Sequence, residues 1–120
     1  MGKILVVDDN ESILHLIRDF FTDLKGHQVF IASNAKEAME IVTTEHPEVA
    51  LLDIMMPEVH GIELLSMIKR AAPDVKVIMI TAVDDESIAK EAMDKGAVDY
   101  VTKPLELNYL DALVTFQMLE

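Results

Sequence analysis

Residues 4–10 of the chain read ILVVDDN, and this stretch decides the fold. Four branched apolar residues are followed directly by two adjacent carboxylates, Asp8 and Asp9. A strand that is apolar throughout, rather than alternating with polar residues, is typical of a sheet that is covered on both faces. Two neighbouring acids repel each other, so the pair predicts a cation or another charge partner close to the end of this strand.

Short apolar runs of this kind alternate with longer stretches in which apolar residues recur every three or four positions, as on one face of a helix. The runs predict strands at 4–7, 29–32, 49–52, 77–80 and 99–101, and the longer stretches predict helices at 11–24, 34–44, 61–71, 85–95 and about 106–119. Strand–helix repeats give a parallel sheet with right-handed crossovers. Five repeats are too few for a closed eight-stranded barrel, so the sequence predicts an α/β fold, a doubly wound open sheet of five parallel strands in a single domain, residues 1–120.

The predicted helices carry their own start and stop signals. Asn34 with Glu37 resembles a capping box at the start of the second helix, and Pro73 follows the third. Lys95 and Gly96 supply a terminal cation and a left-handed cap at the end of the fourth. The face of the first helix that we expect to pack on the sheet comprises Ile13, Leu16, Ile17, Phe20, Phe21 and Leu24.

Composition excludes some classes of function. The 120 residues include 22 acids against 10 Lys and Arg, a formal net charge of −12. Such a chain repels nucleic acid and anionic membranes, so we expect no direct nucleic-acid binding by this domain and no membrane contact. No apolar run approaches the roughly 20 residues of a membrane span. The absence of cysteine suits a cytoplasmic protein, and we expect no output domain in this chain.

The candidates for a functional site are the polar residues at the strand ends. Asp8 and Asp9 follow the first strand, Asp53 the third, Thr81 the fourth and Lys103 the fifth. Because ligands of open parallel sheets bind beyond the carboxyl ends of the strands, we expect these side chains to meet at one edge. Their formal charge is −2, which one Mg²⁺ balances, and oxygen ligands suit this ion.

A carboxylate can also act as a nucleophile and form an aspartyl phosphate. Asp53 stands alone at the end of a central strand and is the predicted nucleophile, whereas the Asp8–Asp9 pair is predicted to hold the cation. Phosphoryl transfer depends mainly on positioning and charge neutralisation, which Lys103, the Thr81 hydroxyl and a metal can supply. An alternative is that Asp8 and Asp9 are a solvated strand end that caps the first helix.

The stretches VVDDN (6–10), LLDIMMPEVHG (51–61), ITA (80–82) and YVTKP (100–104) resemble, in this order and spacing, the receiver domain of two-component response regulators. The resemblance covers essentially the whole chain and implies a flavodoxin-like (βα)5 fold. It implies that Asp53 is the phosphoacceptor. It also implies that Mg²⁺ is held by Asp53, by Asp9 directly, by Asp8 partly through water, and by the backbone carbonyl of Met55.

The same resemblance assigns the remaining strand-end residues. Thr81 corresponds to the switch hydroxyl, Tyr100 to the aromatic switch residue, and Pro104 to a proline whose preceding peptide bond is usually cis. Lys103 corresponds to the phosphate-binding lysine, which we expect at an exposed strand end. The implied partners are a histidine kinase or a phosphotransfer protein. The resemblance also implies that the chain is not an enzyme, apart from promoting its own phosphorylation and dephosphorylation.

The sequence leaves other functions to be weighed. A phosphohydrolase with an aspartyl-phosphate intermediate resembles D-x-D around its nucleophile, whereas residues 53–55 read DIM. A nucleotide-binding enzyme is disfavoured because the first turn has no glycine and the chain has no G-x-x-x-x-G-K. A phosphorylation-independent scaffold of the same fold stays open. The four histidines show no ligand spacing and are expected at the surface or its boundary.

The last predicted helix has two apolar stripes, and only one can face the sheet. The first comprises Leu107, Leu110, Val114 and Met118, and the second comprises Tyr109, Leu113 and Phe116. Either both stripes wrap into the core, or the exposed one contacts an output partner or a second copy of the chain as a homodimer. No Lys or Arg follows Lys103, so such a contact should be mainly apolar.

Overall fold

The computed structural model describes residues 2–55, 59–82 and 86–119. Its five strands are β1 (Lys3–Val7), β2 (Gln28–Ala32), β3 (Val49–Asp53), β4 (Lys76–Thr81) and β5 (Asp99–Thr102). They form one parallel sheet in the order β2-β1-β3-β4-β5. The helices are α1 (Glu11–Asp19), α2 (Ala35–Glu45), α3 (Gly61–Ala71), α4 (Glu86–Asp94) and α5 (Leu107–Gln117). The predicted doubly wound, five-stranded fold is therefore confirmed.

Two apolar layers cover the sheet, one on each face. Successive residues of β1 enter opposite layers: Leu5 and Val7 pack beneath α2, α3 and α4, whereas Ile4 and Val6 pack beneath α1 and α5. This division explains why the strands are apolar at every position rather than alternating. Among the described residues, no helix combines the length and the apolar character that a membrane span requires.

The spacing predicts one regular helix over 11–24, and the structure differs from this prediction. The α-helix ends at Asp19 and a π-helical turn, Phe20–Leu24, follows it. A π turn holds one more residue than an α turn, so the side chains beyond Asp19 are rotated from their predicted positions. Phe21 is fully buried, and its ring meets the Phe20 ring edge-on at 5.1 Å. Leu24, predicted to face the core, is exposed.

The core face of α1 also differs from the prediction. Leu14 and Ile17 are buried, although Leu14 is absent from the predicted face, and Leu16 is exposed. Leu14, Ile17 and Phe21 are spaced by three and four residues, which is as helical as the predicted set. Because α1 carries apolar residues on two faces, periodicity alone did not identify the one that packs on the sheet.

Side chains cap several helices. The Asn10 amide oxygen accepts hydrogen bonds from the backbone N–H groups of Ser12 and Ile13 at the start of α1. At the start of α2, Asn34 accepts from the Glu37 N–H, as the predicted capping box requires. The Glu37 carboxylate reaches back one residue further than expected, to the N–H and hydroxyl of Ser33 rather than to the N–H of Asn34.

Two of the histidines expected at the surface or its boundary lie there and also make defined contacts. His27 Nδ1 accepts a hydrogen bond from the Gly2 N–H at 3.1 Å, and burial lowers the pKa of His27 below its ordinary value. His60 Nδ1 accepts from the Ile62 N–H at 3.2 Å and so caps α3. Neither role has a signature in the spacing of the histidines.

The two stripes of α5 are separated clearly. Leu110 and Val114 are fully buried against the sheet. Tyr109 and Phe116 are 53% and 68% exposed, although Leu113 of the same stripe packs on the core. The wide stripe does not wrap into the core, so the second stripe leaves two large apolar side chains at the surface.

Candidate functional site

The ends of four strands bring the predicted site residues together. Asp8 and Asp9 follow β1, Asp53 ends β3, Thr81 ends β4, and Lys103 follows β5. One carboxylate oxygen from each of the three acids lies within 4.8 Å of the others. Hydrogen bonds across the strand ends hold this arrangement, since the Asp8 N–H donates to Ala32 O at 3.2 Å. We call this end of the sheet the carboxyl edge.

Lys103 lies between two buried acids. Its Nζ is 3.2 Å from Asp8 Oδ2 and 3.9 Å from Asp53 Oδ1, and its side chain is 21% exposed. The expectation of an exposed strand end was therefore wrong: the backbone N–H of Lys103 donates to Thr81 O at 2.7 Å, which draws the lysine in against the neighbouring strand. The peptide bond between Lys103 and Pro104 is cis.

Asp8 is a buried member of the site and not a helix cap. Its side chain is almost fully buried, and its Oδ1 accepts from the Asn10 N–H at 2.9 Å. Asn10 caps α1 instead, so the alternative of a solvated capping pair is wrong for Asp8. Asp9 is exposed. The two adjacent acids thus have different surroundings, one held in place and one open to solvent.

Asp53 carries the clearest electrostatic signature. Burial and the nearby Asp8 carboxylate raise its pKa to about 6, against the opposing effects of Lys103 and of the Met55 N–H, which donates to Asp53 Oδ1 at 3.2 Å. The carboxylate is 4% exposed. Three acids with one lysine therefore leave the site short of positive charge. Hard carboxylate oxygens at this spacing fit a divalent cation such as Mg²⁺.

The other predicted residues surround this cluster. Thr81 is fully buried. The Met55 side chain is exposed, so a metal-ligand role for Met55 would involve its backbone only. Tyr100 pairs with Met79 in the β4–β5 ladder and packs, partly buried, on the layer beneath α2, α3 and α4. Tyr100 is thus a strand residue near the site, not a member of the acid cluster.

The sequence analysis missed Gly61, which packs against the backbone of Asp53 and Ile54. Its N–H donates to Ile54 O at 2.8 Å. A Cβ atom on Gly61 would overlap the Asp53 carbonyl oxygen and lie 2.6 Å from Ile54 Cα. The first residue of α3 therefore touches the backbone of Asp53 with no side chain between them. The glycine at the end of LLDIMMPEVHG was the available signal.

Comparison with known proteins agrees with this geometry. Residues 4–115 match the family model described as the response regulator receiver domain. The chain is 36% identical over 106 residues to sporulation initiation phosphotransferase F of Bacillus subtilis, covering 88% of this chain and 85% of that protein. It is 37% identical over 112 residues to the alkaline phosphatase synthesis transcriptional regulatory protein PhoP of Bacillus subtilis, covering 93% of this chain and 46% of that protein.

A solved structure is similarly close. The BeF3-activated DrrB receiver domain superposes with a TM-score of 0.90 at 32% identity, covering 100% of this chain and 99% of that one. The chain spans about half the length of most of the curated relatives that it matches.

Proposed function

This chain belongs to the family of response regulator receiver domains, and on that premise we propose that it is a phosphorylation-activated signalling switch. In the proposal, Asp53 accepts a phosphoryl group from a histidine kinase or a phosphotransfer protein in a Mg²⁺-dependent reaction. The observation that carries it is the meeting of Asp8, Asp9 and Asp53 around one partly buried lysine. The cytoplasmic location expected from the sequence stays a prediction.

The proposed reaction moves one phosphoryl group between two chains. An Asp53 carboxylate oxygen attacks phosphorus as the P–N bond of a phosphohistidine breaks, and the released imidazole nitrogen keeps the electron pair and takes a proton from water. The product is an aspartyl phosphate. Lys103, already 3.9 Å from Asp53 Oδ1, is placed to pair with a phosphoryl oxygen. The domain would modify only itself and turn over no external substrate.

The metal ligands of the proposal are Asp8, Asp9, Asp53 and the backbone carbonyl of Met55. Asp8 already contacts Lys103 and the Asn10 N–H, so we assign it a water-mediated role and Asp9 a direct one. A bound Mg²⁺ would neutralise negative charge on the phosphoryl oxygens. The raised pKa of Asp53, caused first by burial and then by the nearby Asp8 carboxylate, supports a cation here, because a bound cation favours the charged carboxylate and opposes both effects.

Phosphorylation would be transmitted by Thr81 and Tyr100. A phosphoryl group adds roughly −1.5 to −2 charge and strong acceptor oxygens. Thr81 is the last residue of β4, the strand that pairs with β5. Its hydroxyl is a donor that could move toward these oxygens. A shift of Thr81 would change the space beside the Tyr100 ring, so local charge would become a packing change at the surface near α4.

The exposed stripe of α5 is the proposed output surface. Tyr109 and Phe116 present apolar area there, and the one acid in the middle of α5, Asp111, pairs with Lys25 at 3.2 Å. A contact with an output partner or a second copy would therefore be mainly apolar and only weakly dependent on salt. The net charge of −12 supports the absence of direct nucleic-acid binding.

We expect Phe116→Glu to weaken self-association or partner binding of the phosphorylated domain about tenfold, because it places a charge where the proposal puts an apolar anchor of the contact, and a loss of about 1.4 kcal/mol is tenfold in Kd. Sedimentation measures the first and titration with a partner the second. Leu16→Glu, which changes an apolar residue of α1 that is 53% exposed against 68% for Phe116, is the control. Equal losses in the two variants would place the contact elsewhere.

Intact mass after incubation with acetyl phosphate and Mg²⁺ tests the proposed function directly. We expect the mass of one phosphoryl group on the wild type, none on Asp53→Asn, and little on Asp9→Ala or in the presence of EDTA. Asp19→Asn, at an exposed acid of α1, should behave as the wild type. Labelling on a histidine, or undiminished labelling with EDTA, would refute the mechanism. No labelling of a folded wild type would favour the phosphorylation-independent scaffold.

A further inference from the structure

The phosphoacceptor and the start of α3 form one rigid contact. Gly61 is the first residue of α3, its N–H donates to Ile54 O, and no Cβ fits between it and the Asp53 backbone. Ile62 and Leu65 anchor the helix on the sheet through buried side chains. A displacement of the first helical turn would therefore be felt at Asp53.

The first turn of α3 depends on a histidine. The leading N–H groups of a helix have no partner within it. His60 supplies one, since its Nδ1 accepts from the Ile62 N–H at 3.2 Å, and its carbonyl accepts from the Leu64 N–H at 3.0 Å. Asn10, Asn34 and Glu106 cap the starts of α1, α2 and α5 through side-chain oxygens. His60 differs because its acceptor is an imidazole nitrogen rather than an oxygen, and such a nitrogen becomes a donor when it binds a proton.

A proton on Nδ1 would convert this acceptor into a donor. The imidazolium would then face the Ile62 N–H and the positive end of the helix dipole, and both repel it. His60 lines a groove of about 490 Å³ between α3 and α4, together with Glu63 and Arg70 of its own helix and Glu91 and Lys95 of α4. Among the described residues, the groove is thus lined by two acids and two bases besides the imidazole.

We propose that His60 is a positioning residue for the phosphoacceptor: its neutral side chain holds the first turn of α3 against the Asp53 backbone, and its protonation loosens that contact. Phosphoryl acceptance then slows in acid by a route separate from the titration of Asp53. This inference rests on the proposed function of Asp53, and it adds a pH-sensitive support that the acid cluster does not contain.

Phosphorylation rates of the wild type and two His60 variants test the inference. Initial rates with acetyl phosphate and Mg²⁺ are measured from pH 5.5 to 8.5 for the wild type, His60→Asn and His60→Ala. Asparagine caps a helix at every pH in this range, whereas alanine does not. His15→Asn is the control, because it removes an exposed histidine of α1 by the same substitution.

We expect the rate of the wild type relative to His60→Asn to be near one at pH 8 and to fall about 2–5-fold at pH 5.5, because a helix cap shifts the equilibrium between the held and the loosened first turn by a factor of this order. His60→Ala should be about 2–5-fold slower than His60→Asn at both pH values. The wild type relative to His15→Asn should stay level. The inference would be overturned if the rate of the wild type relative to His60→Asn did not change with pH. It would also be overturned if the rate of the wild type relative to His15→Asn fell in acid.

A second measurement does not require phosphorylation. In Asp53→Asn protein, where Asp53 no longer titrates, amide resonances are followed by NMR as the pH falls. We expect the Ile62 amide to move with the titration of His60, and the Ile54 and Met55 amides to move with it. Amide resonances of Ile54 and Met55 that do not move would overturn the inference, even if the wild type accepts a phosphoryl group. Failure of the wild type to take up phosphate would instead refute the proposed function.

Discussion

At the carboxyl edge, Lys103 serves two buried acids, Asp8 and Asp53. At the opposite end, where the strands begin and which we call the amino edge, Lys3 pairs with the single acid Glu45 at 3.6 Å, and both side chains are about 40% exposed. Charge at the amino edge is matched and solvated, and it contributes little to stability. At the carboxyl edge, the buried pair Asp8 and Asp53 shares one partly buried lysine, so the fold keeps their charge there at a cost in stability.

Glycines repeat the contrast between the edges. Gly61 at the carboxyl edge lies against backbone atoms of Asp53 and Ile54. Gly2 at the amino edge lies against the flexible ends of Met118 and Glu48. Side-chain ends can move aside and backbone atoms of a central strand cannot. The carboxyl edge is therefore rigid as well as charged, which is what the proposed role of Asp53 as an acceptor would require.

The largest effect is expected from Gly61→Ala. The added methyl group meets the Asp53 carbonyl oxygen, so we expect a loss of about 3 kcal/mol in the free energy of unfolding and little phosphoryl uptake. Gly2→Ala is the matched control and should lose less than about 1 kcal/mol. Urea denaturation followed by circular dichroism measures both. Similar losses would mean that the two edges are equally adaptable.

Lys103→Ala is expected to have the next largest effect. Its removal leaves Asp8 and Asp53 without their shared cation, so we expect a loss of about 2 kcal/mol at pH 8 in chelator, less than for a fully buried pair. Lys3→Ala should change the free energy of unfolding by about 0.5 kcal/mol or less. Thermal or urea unfolding in EDTA checks both. An equal effect of the two substitutions would remove the electrostatic difference between the edges.

Asp53→Asn should stabilise the metal-free protein, and the gain should depend on pH. The pKa of Asp53 is about 6 in the folded chain and 3.8 in its ordinary environment, so the folded state binds the proton more tightly. The resulting penalty is fully present above about pH 6 and disappears as the pH falls through 4. We expect a gain of about 1–2 kcal/mol at pH 8 and almost none at pH 4.

Urea midpoints in EDTA across this pH range measure the gain. Glu45→Gln at the amino edge is the control, and it should show no comparable dependence because that acid is exposed and singly paired. A gain from Asp53→Asn that persists unchanged at pH 4 would contradict the electrostatic explanation.

The smallest effect concerns metal addition. Mg²⁺ at three times its Kd should raise the free energy of unfolding by about 0.8 kcal/mol, because it binds the folded acid cluster. Asp9→Asn should lose this response, while Glu45→Gln should keep it. Thermal melts with and without Mg²⁺ show the difference. A response that survives Asp9→Asn would place the cation outside the proposed site.

The carboxyl edge was the more predictable of the two from sequence. Apolar runs ending at Asp8, Asp53, Thr81 and the residue before Lys103 were enough to predict that these side chains meet at one edge, because parallel strands all end on one side. The burial of Lys103 was not predictable, since it depends on a backbone hydrogen bond to the neighbouring strand. The contact between Gly61 and the Asp53 backbone is likewise a tertiary contact that no local sequence pattern predicts.

The first helix shows where periodicity fails. Leu14 and Leu16 are both apolar, and only packing against the sheet decides that Leu14 is buried and Leu16 exposed. The π turn at Phe20–Leu24 shifts the register by one residue, which no spacing rule anticipates. The cap by His60 was also missed, because histidine is not among the residues favoured at helix starts.

The ion pair between Lys103 and Asp8 joins residues 95 positions apart. A ribosome makes the chain from its first residue, so Asp8, Asp9 and Asp53 emerge long before the lysine that serves them. β1 lies between β2 and β3, and these three strands can pair while β5 is still being synthesised. A nascent sheet of these three strands would hold its acids without their lysine, and counterions from the surrounding solution would have to screen them until the last strand docks.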